Sequence, residues 1–284
     1  MKKTAYYFLF LVLLCSCQPR QTIAPHTVFV SIAPLKSLVQ AITEQDFPIE
    51  VLVPAGASPE TFEPTPRQYI ALNEAQWIFH TGLIDFEQSL LTKIDHQEQL
   101  TNLHEGIELL AGSCSHHHSH KHPHHHGIDP HIWTSPRALQ QMAATMYATI
   151  HAAYPDSVRY TANYERLQAQ LIALDQRTEE QIAESGIRSF VVYHPARTYY
   201  ARDYGLTQEA IEQEGKEPSA RQLAALIRKA RSEGVRTILY QRQFPRSSVE
   251  TLAADIDAQA IEFDPLAEDV VSQIDSITSW ITRR

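Results

Sequence analysis

The sequence predicts an α/β protein of two parallel-sheet lobes joined by one long, rigid helix. Two observations carry that reading. Short apolar, β-rich runs alternate with helix-patterned runs in both halves of the chain, the signature of strands and helices around a parallel sheet. Between the halves, residues 157–185 form a run of some thirty residues without Gly or Pro, rich in Ala, Leu, Gln, Glu and Arg. Such a composition favours helix throughout, and thirty helical residues span roughly 45 Å, about the width of a domain.

The first half, residues 27–156, opens with TVFVSIAPL (27–35) as a strand-forming run and continues as helix over 36–45. IEVLVP (49–54) is a second strand, ended by Pro54, and it leads into the turn-rich AGASPETFEPTP. RQYIALNEA reads as helix, WIFHTG (77–82) as a third strand, and TNLHEGIELL as a further strand. Residues 136–153 are helical.

The second half, residues 186–284, restarts the alternation. RSFVVYHP (188–195) is a strand, TYYARDYGL a helix ending near Gly205, and LTQEAIEQ a strand. SARQLAALIRKARSEG is a helix capped by Ser219 and closed at Gly234. RTILYQRQ, SSVETLAADID, AQAIEFDPL and EDVVSQIDSITSWIT then read as strand, helix, strand and closing helix.

The chain has 284 residues, 43% of them hydrophobic, enough for a sizeable core. Its formal charge is -9, and removing the first sixteen residues makes the remainder more acidic still. An acidic chain without a basic stripe excludes nucleic acid as a natural partner. MKKTAYYFLFLVLLCSC has a basic start, an apolar run too short to span a bilayer as a mature helix, and a small-residue end, the layout of a secretory leader. Leu14-Cys15-Ser16-Cys17 resembles a bacterial lipobox, so residues 1–16 are expected to leave, Cys17 to carry the lipid and 17–26 to act as a tether. Cys15 would depart with the leader and Cys17 be acylated, leaving Cys114 alone, with no intrachain disulfide and no essential role expected of it.

Residues 113–127 hold His116, His117, His118, His120, His122, His124, His125 and His126 and show no periodicity. The composition is that of a disordered, metal-gathering tract that holds several ions weakly. His131 stands apart, in DPHIW on the far side of Gly127 and Pro130. His194 follows FVVY, Asp264 follows AIEF, and Glu60 lies in the loop after IEVLVP. Ligands gather at the carboxyl ends of strands in α/β sheets, so two imidazoles and two carboxylates can converge in the interlobe cleft. That nitrogen and oxygen set suits zinc or manganese.

VLVPAGASPETFEPTPRQ, WIFHTGLIDFE, the His-rich insert, DPHIWTSP, VVYHPARTYYARDYGL, GKEPSARQL and EFDPL stand in order along the chain. With these motifs the chain resembles the solute-binding proteins of bacterial ABC importers for zinc or manganese, the metal-binding cluster A-I. The resemblance covers nearly all of the mature chain. It implies two lobes joined by one long helix, metal bound between them, and His131, His194 and Asp264 as ligands. The remaining family ligand is a His after Ala-Ser-Pro or Gly-Asp-Pro. Here Ala57-Ser58-Pro59 is followed by Glu60, with Glu63 as another first-lobe carboxylate able to replace it.

An anion in place of a neutral imidazole shifts the site toward harder ions such as manganese, whereas the His-rich insert is a feature of zinc importers. The expectation is therefore a monomeric, lipid-anchored, extracytoplasmic protein that captures Zn(II), with Mn(II) as the alternative cargo, and delivers it to a membrane permease. It is not expected to be an enzyme, because the sequence has no H-E-x-x-H and no evident base beside the ligands. A zinc hydrolase and a surface metal store or adhesin are the rival readings. With histidines at their ordinary pKa, metal affinity is expected to weaken as pH falls through roughly 6.5 to 5.

Overall fold

The computed structural model describes residues 26–112, 127–212, 216–244 and 246–283. The expected leader, Cys17, Cys114 and the tract from His116 to His126 lie outside the described residues.

The first lobe contains β1 (Val28–Val30), α1 (Ala33–Thr43), β2 (Ile49–Val51), α2 (Pro66–Asn73), β3 (Trp77–His80), α3 (Asp85–Leu91), β4 (Leu100–Asn102) and α4 (Pro136–Ala153). The single helix α5 (Val158–Ser185) follows. The second lobe contains β5 (Ser189–Val192), α6 (Thr198–Asp203), β6 (Thr207–Ala210), α7 (Ala220–Ser232), β7 (Thr237–Gln241), α8 (Arg246–Ile256), β8 (Gln259–Phe263) and α9 (Val270–Ile281).

Each lobe has one parallel four-stranded sheet, ordered β2-β1-β3-β4 and β6-β5-β7-β8. The order is the same in both, with the chain reversing its direction of winding beside β1 and beside β5. The carboxyl ends at such a reversal form a natural crevice.

Several elements differ from their expected extents. The first strand stops at Val30 and α1 begins three residues earlier than expected, at Ala33, because Pro34 fits the first turn of a helix and cannot serve a sheet ladder. The run 101–110 contributes only the last residues of a short strand, since 103–106 turn back. Helix α3 was not anticipated. Its first-turn residue Glu87 is wholly buried and accepts hydrogen bonds from the backbone N–H of Thr81, Leu83 and Ile84, so a charged residue that reads as surface in sequence instead fastens a loop.

The strut is observed as a continuous 28-residue helix. Leu167, Leu171, Leu174, Thr178 and Ile182 are buried along it at spacings of three and four, one face of a helix. Asn163 donates to Ile42 O at 3.0 Å, tying α5 to the first lobe, and Arg177 pairs with Asp275 of α9 at 3.1 Å, tying it to the second. One core runs from the first sheet across α5 to one face of the second sheet. In β5, Phe190 and Val192 join that core, while Val191 faces the smaller cluster on the other side, as the two-residue strand period requires.

Other contacts join the lobes around the cleft. Tyr199 donates to Asp129 O at 2.8 Å, Trp133 Nε1–H donates to Pro265 O at 2.9 Å, and the Ser135 hydroxyl bonds the Asp203 carboxylate. The ends flanking the His-rich tract are also joined. Ala111 and Ile128 form an antiparallel bridge, and Gly112 N–H donates to Gly127 O at 2.6 Å.

Candidate metal centre

Three of the four expected donors meet. A ligand atom from each of Glu60, His131 and His194 lies within 4.8 Å of the other two, the one such group of His, Cys, Asp and Glu among the described residues. They come from both lobes. Glu60 lies in the long loop after β2, where Thr65 caps α2 and fixes the loop's exit. His131 precedes a short 3-10 turn (Ile132–Thr134) that leads to Ser135, the N-cap of α4. His194 stands just past β5, beside the reversal point of the second sheet.

Both imidazoles are buried and their centroids are 5.4 Å apart, inclined at 69°. The His131 ring packs against Trp133 at 5.2 Å and the His194 ring stacks on Phe244 at 6.3 Å. A pocket of about 350 Å³ opens over the group, lined also by Glu212, Gln241 and Leu266.

Each ring is oriented by a carboxylate on its Nδ1. Asp129 Oδ1 lies 2.8 Å from His131 Nδ1 and also accepts the His131 backbone N–H at 2.9 Å. Glu212 Oε2 lies 3.2 Å from His194 Nδ1. A carboxylate on one ring nitrogen fixes the tautomer and turns the other nitrogen toward an ion. Glu60 Oε1 approaches His194 Nε2 at 2.9 Å from the opposite lobe. That approach is an ion-pair contact across the cleft.

The charges follow from this arrangement. Burial alone lowers the His194 pKa, but the hydrogen bond with Glu212 and the facing Glu60 carboxylate outweigh it and push it up to about 10. Burial raises the Asp129 carboxyl, but the charge and hydrogen bonds of His131 outweigh that and hold it below its ordinary value. A cluster of nitrogen and oxygen atoms with buried imidazoles and ionised carboxylates is chemistry for a divalent cation.

Asp264 is not brought into this group. It is exposed, and its Oδ1 accepts Leu266 N–H at 2.9 Å within its own turn. Pro265 and Leu266, the next two residues, do line the pocket. Glu63 is likewise outside the group. The orienting carboxylates Asp129 and Glu212 were not singled out from the sequence. Asp129 had a signal, a carboxylate two residues before a candidate ligand. Glu212 had none, because its partner is 18 residues away on another strand end.

Residues 28–283 match the family model described as zinc-uptake complex component A, periplasmic. A 30% identical relative over 243 residues, covering 82% of this chain and 76% of its own, is the high-affinity zinc uptake system protein ZnuA of Bacillus subtilis. The zinc-binding lipoprotein AdcA of Streptococcus pneumoniae is 26% identical over 91% of this chain, which spans about half (53%) of that longer protein. A crystal structure of ZnuA superposes with a TM-score of 0.79 at 33% identity, covering 90% of this chain and 98% of that one.

Proposed function

The chain belongs to the zinc-uptake complex component A family, and from that premise we propose that it captures Zn(II) outside the cytoplasm and hands it to the permease of an ABC importer. The observation that carries the reading is the group of Glu60, His131 and His194, contributed by both lobes and closed to within 4.8 Å. Those three hold the ion, and Asp264 turns in from the rim as the fourth donor that zinc takes in a closed site.

Loading is an exchange of ions. Before loading, a protonated His194 would face Glu60, its positive charge standing where the cation will sit. Zinc replaces that proton, and the Asp129 and Glu212 carboxylates stay on Nδ1 of the two rings to keep each Nε2 aimed inward. The site carries cargo and performs no catalysis: both neighbouring carboxylates are engaged with imidazoles, so neither is a spare base. The protein works as a monomer held to the membrane by a lipid on Cys17, a reading supported by the leader and by the relative named a lipoprotein. Among the described residues no helix is long and apolar enough to cross a membrane.

Manganese is the second reading, favoured by one observation: an anionic oxygen donor, Glu60, stands at the loop position where the resemblance implies imidazole. Competitive titration of zinc and manganese into wild type, His131→Ala and His194→Ala tests both readings. The proposal expects zinc to win and each variant to lose the tight site. Full retention of tight binding in both variants refutes the site.

A further inference from the structure

Gln241 ends β7, the strand between β5 and β8. The register pairs Val192 with Leu239 and, continued two residues, sets His194 beside Gln241; on the other side Gln241 pairs with Phe263, the neighbour of Asp264. Gln241 thus stands between two proposed metal donors. It is 1% exposed and lines the same pocket as Glu60, His131 and His194. Yet among the described residues neither its Oε1 nor its Nε2 has a hydrogen-bond partner. A buried amide left so loses its hydration with nothing in return, and native proteins tolerate few such groups without a reason.

Asp264 presents the complementary anomaly. It is an expected donor one strand away, yet its carboxylate is exposed and engages only its own turn. A carboxylate that swings from the end of β8 toward an ion held by His194 travels across the end of β7. One movement then answers both anomalies, giving the buried donor an acceptor and the ion its fourth ligand.

We propose that Gln241 is a positioning residue that seats Asp264 in the zinc-loaded cleft, its Nε2–H donating to the carboxylate oxygen that does not hold the ion. The proposal rests on the reading of Asp264 as the fourth donor. Gln241 touches no ion itself and acts only through Asp264.

The test is a double-mutant cycle on the full mature chain, with zinc affinity read by competition against a chromophoric chelator. Gln241→Leu is expected to weaken zinc about tenfold, the lower end of what orienting groups contribute to metal sites. Asp264→Ala weakens it further, and the double variant matches Asp264→Ala alone, because the effects of coupled residues do not add. The visible spectrum of the Co(II)-loaded Gln241→Leu protein should move toward that of Asp264→Ala, a signature that a purely structural role would not produce. Thermal unfolding without metal should be unchanged or raised in Gln241→Leu, while the gain on adding zinc shrinks. If the leucine variant misfolds, Gln241→Glu, which keeps the shape and loses the N–H donor, runs the same cycle. Additive effects, or unchanged or tighter zinc binding in Gln241→Leu, overturn the proposal. Unchanged binding in Asp264→Ala also overturns it, and leaves capture by the other three donors standing. Failure of the wild-type protein to bind zinc refutes the function proposed above instead.

Discussion

Glu60 of the first lobe holds its Oε1 2.9 Å from Nε2 of His194 in the second, so the nitrogen proposed to hold an ion faces an anion. With Glu212 on the other ring nitrogen, His194 is pushed up to about 10. Metal binds only the neutral ring, so loading expels this proton. Lower pH therefore favours the protonated, unloaded form throughout the range below 10. Zinc affinity is expected to rise about tenfold per pH unit between pH 7 and 9, the slope of one proton released. The window expected from ordinary histidines, 6.5 to 5, moves upward. Chelator competition at stepped pH reads the slope, and an affinity flat above pH 7.5 rules out the His194 assignment. The same raised pKa has a stability corollary for the metal-free protein: its contribution is full below pH 6.5 and fades as pH rises through 10.

The orienting carboxylates give a second prediction. Asp129→Asn and Glu212→Gln keep the shape of each group and remove its charge. Both should weaken zinc by about 10- to 100-fold. Asp129→Asn should cost more, since Asp129 holds both the ring and the backbone N–H of His131 whereas Glu212 holds only the ring of His194. Titration calorimetry of both variants checks the order. Equal affinity to wild type in both would mean the rings are held by packing alone.

Glu60 is expected to set the metal preference. Exchanging an anionic oxygen for a neutral nitrogen, Glu60→His, should raise the zinc-to-manganese affinity ratio by about tenfold or more. A two-metal competition on wild type and variant measures it. An unchanged ratio would show that Glu60 does not touch the ion.

The His-rich tract should be separable from the cleft. Its flanks are already clasped, with Gly112 N–H on Gly127 O at 2.6 Å and Asp129 N–H on Leu110 O at 2.9 Å. Deleting residues 115–126 leaves the ends in contact and shortens a loop whose closure entropy depends only weakly on length. Total zinc bound should fall, with affinity at the tight site and the unfolding temperature kept. Loss of the tight site on deletion would show that the tract builds the cleft.

What the sequence made legible were the features punctuated locally. Ser219 and Gly234 bracket α7, and the absence of Gly and Pro inside the run that becomes α5 marks a single helix. His131 and His194 were legible as candidates because one follows the turn-forming pair Asp129-Pro130 and the other directly follows the strand run FVVY. The remainder depended on contacts between distant residues. The burial of Glu87 and the approach of Glu212 to His194 have no periodicity that reports them. The turn that holds Asp264 was not legible for the same reason, since a residue next to a strand end can aim into a cleft or, as here, into its own turn.

The 28-residue strut has a consequence for traffic at the membrane. The described lobes are connected along the chain by this one helix, which is packed on both of them. Swinging the lobes widely apart would require breaking a helix about 42 Å long or stripping its buried face. Loaded and unloaded copies are therefore expected to share nearly the same outline. A permease that recognised that outline would meet both, and each unloaded copy it engaged would compete with a loaded one. With the permease saturated, throughput would then follow the loaded fraction rather than the amount of loaded protein, so at fixed zinc making more of this protein would slow uptake instead of speeding it.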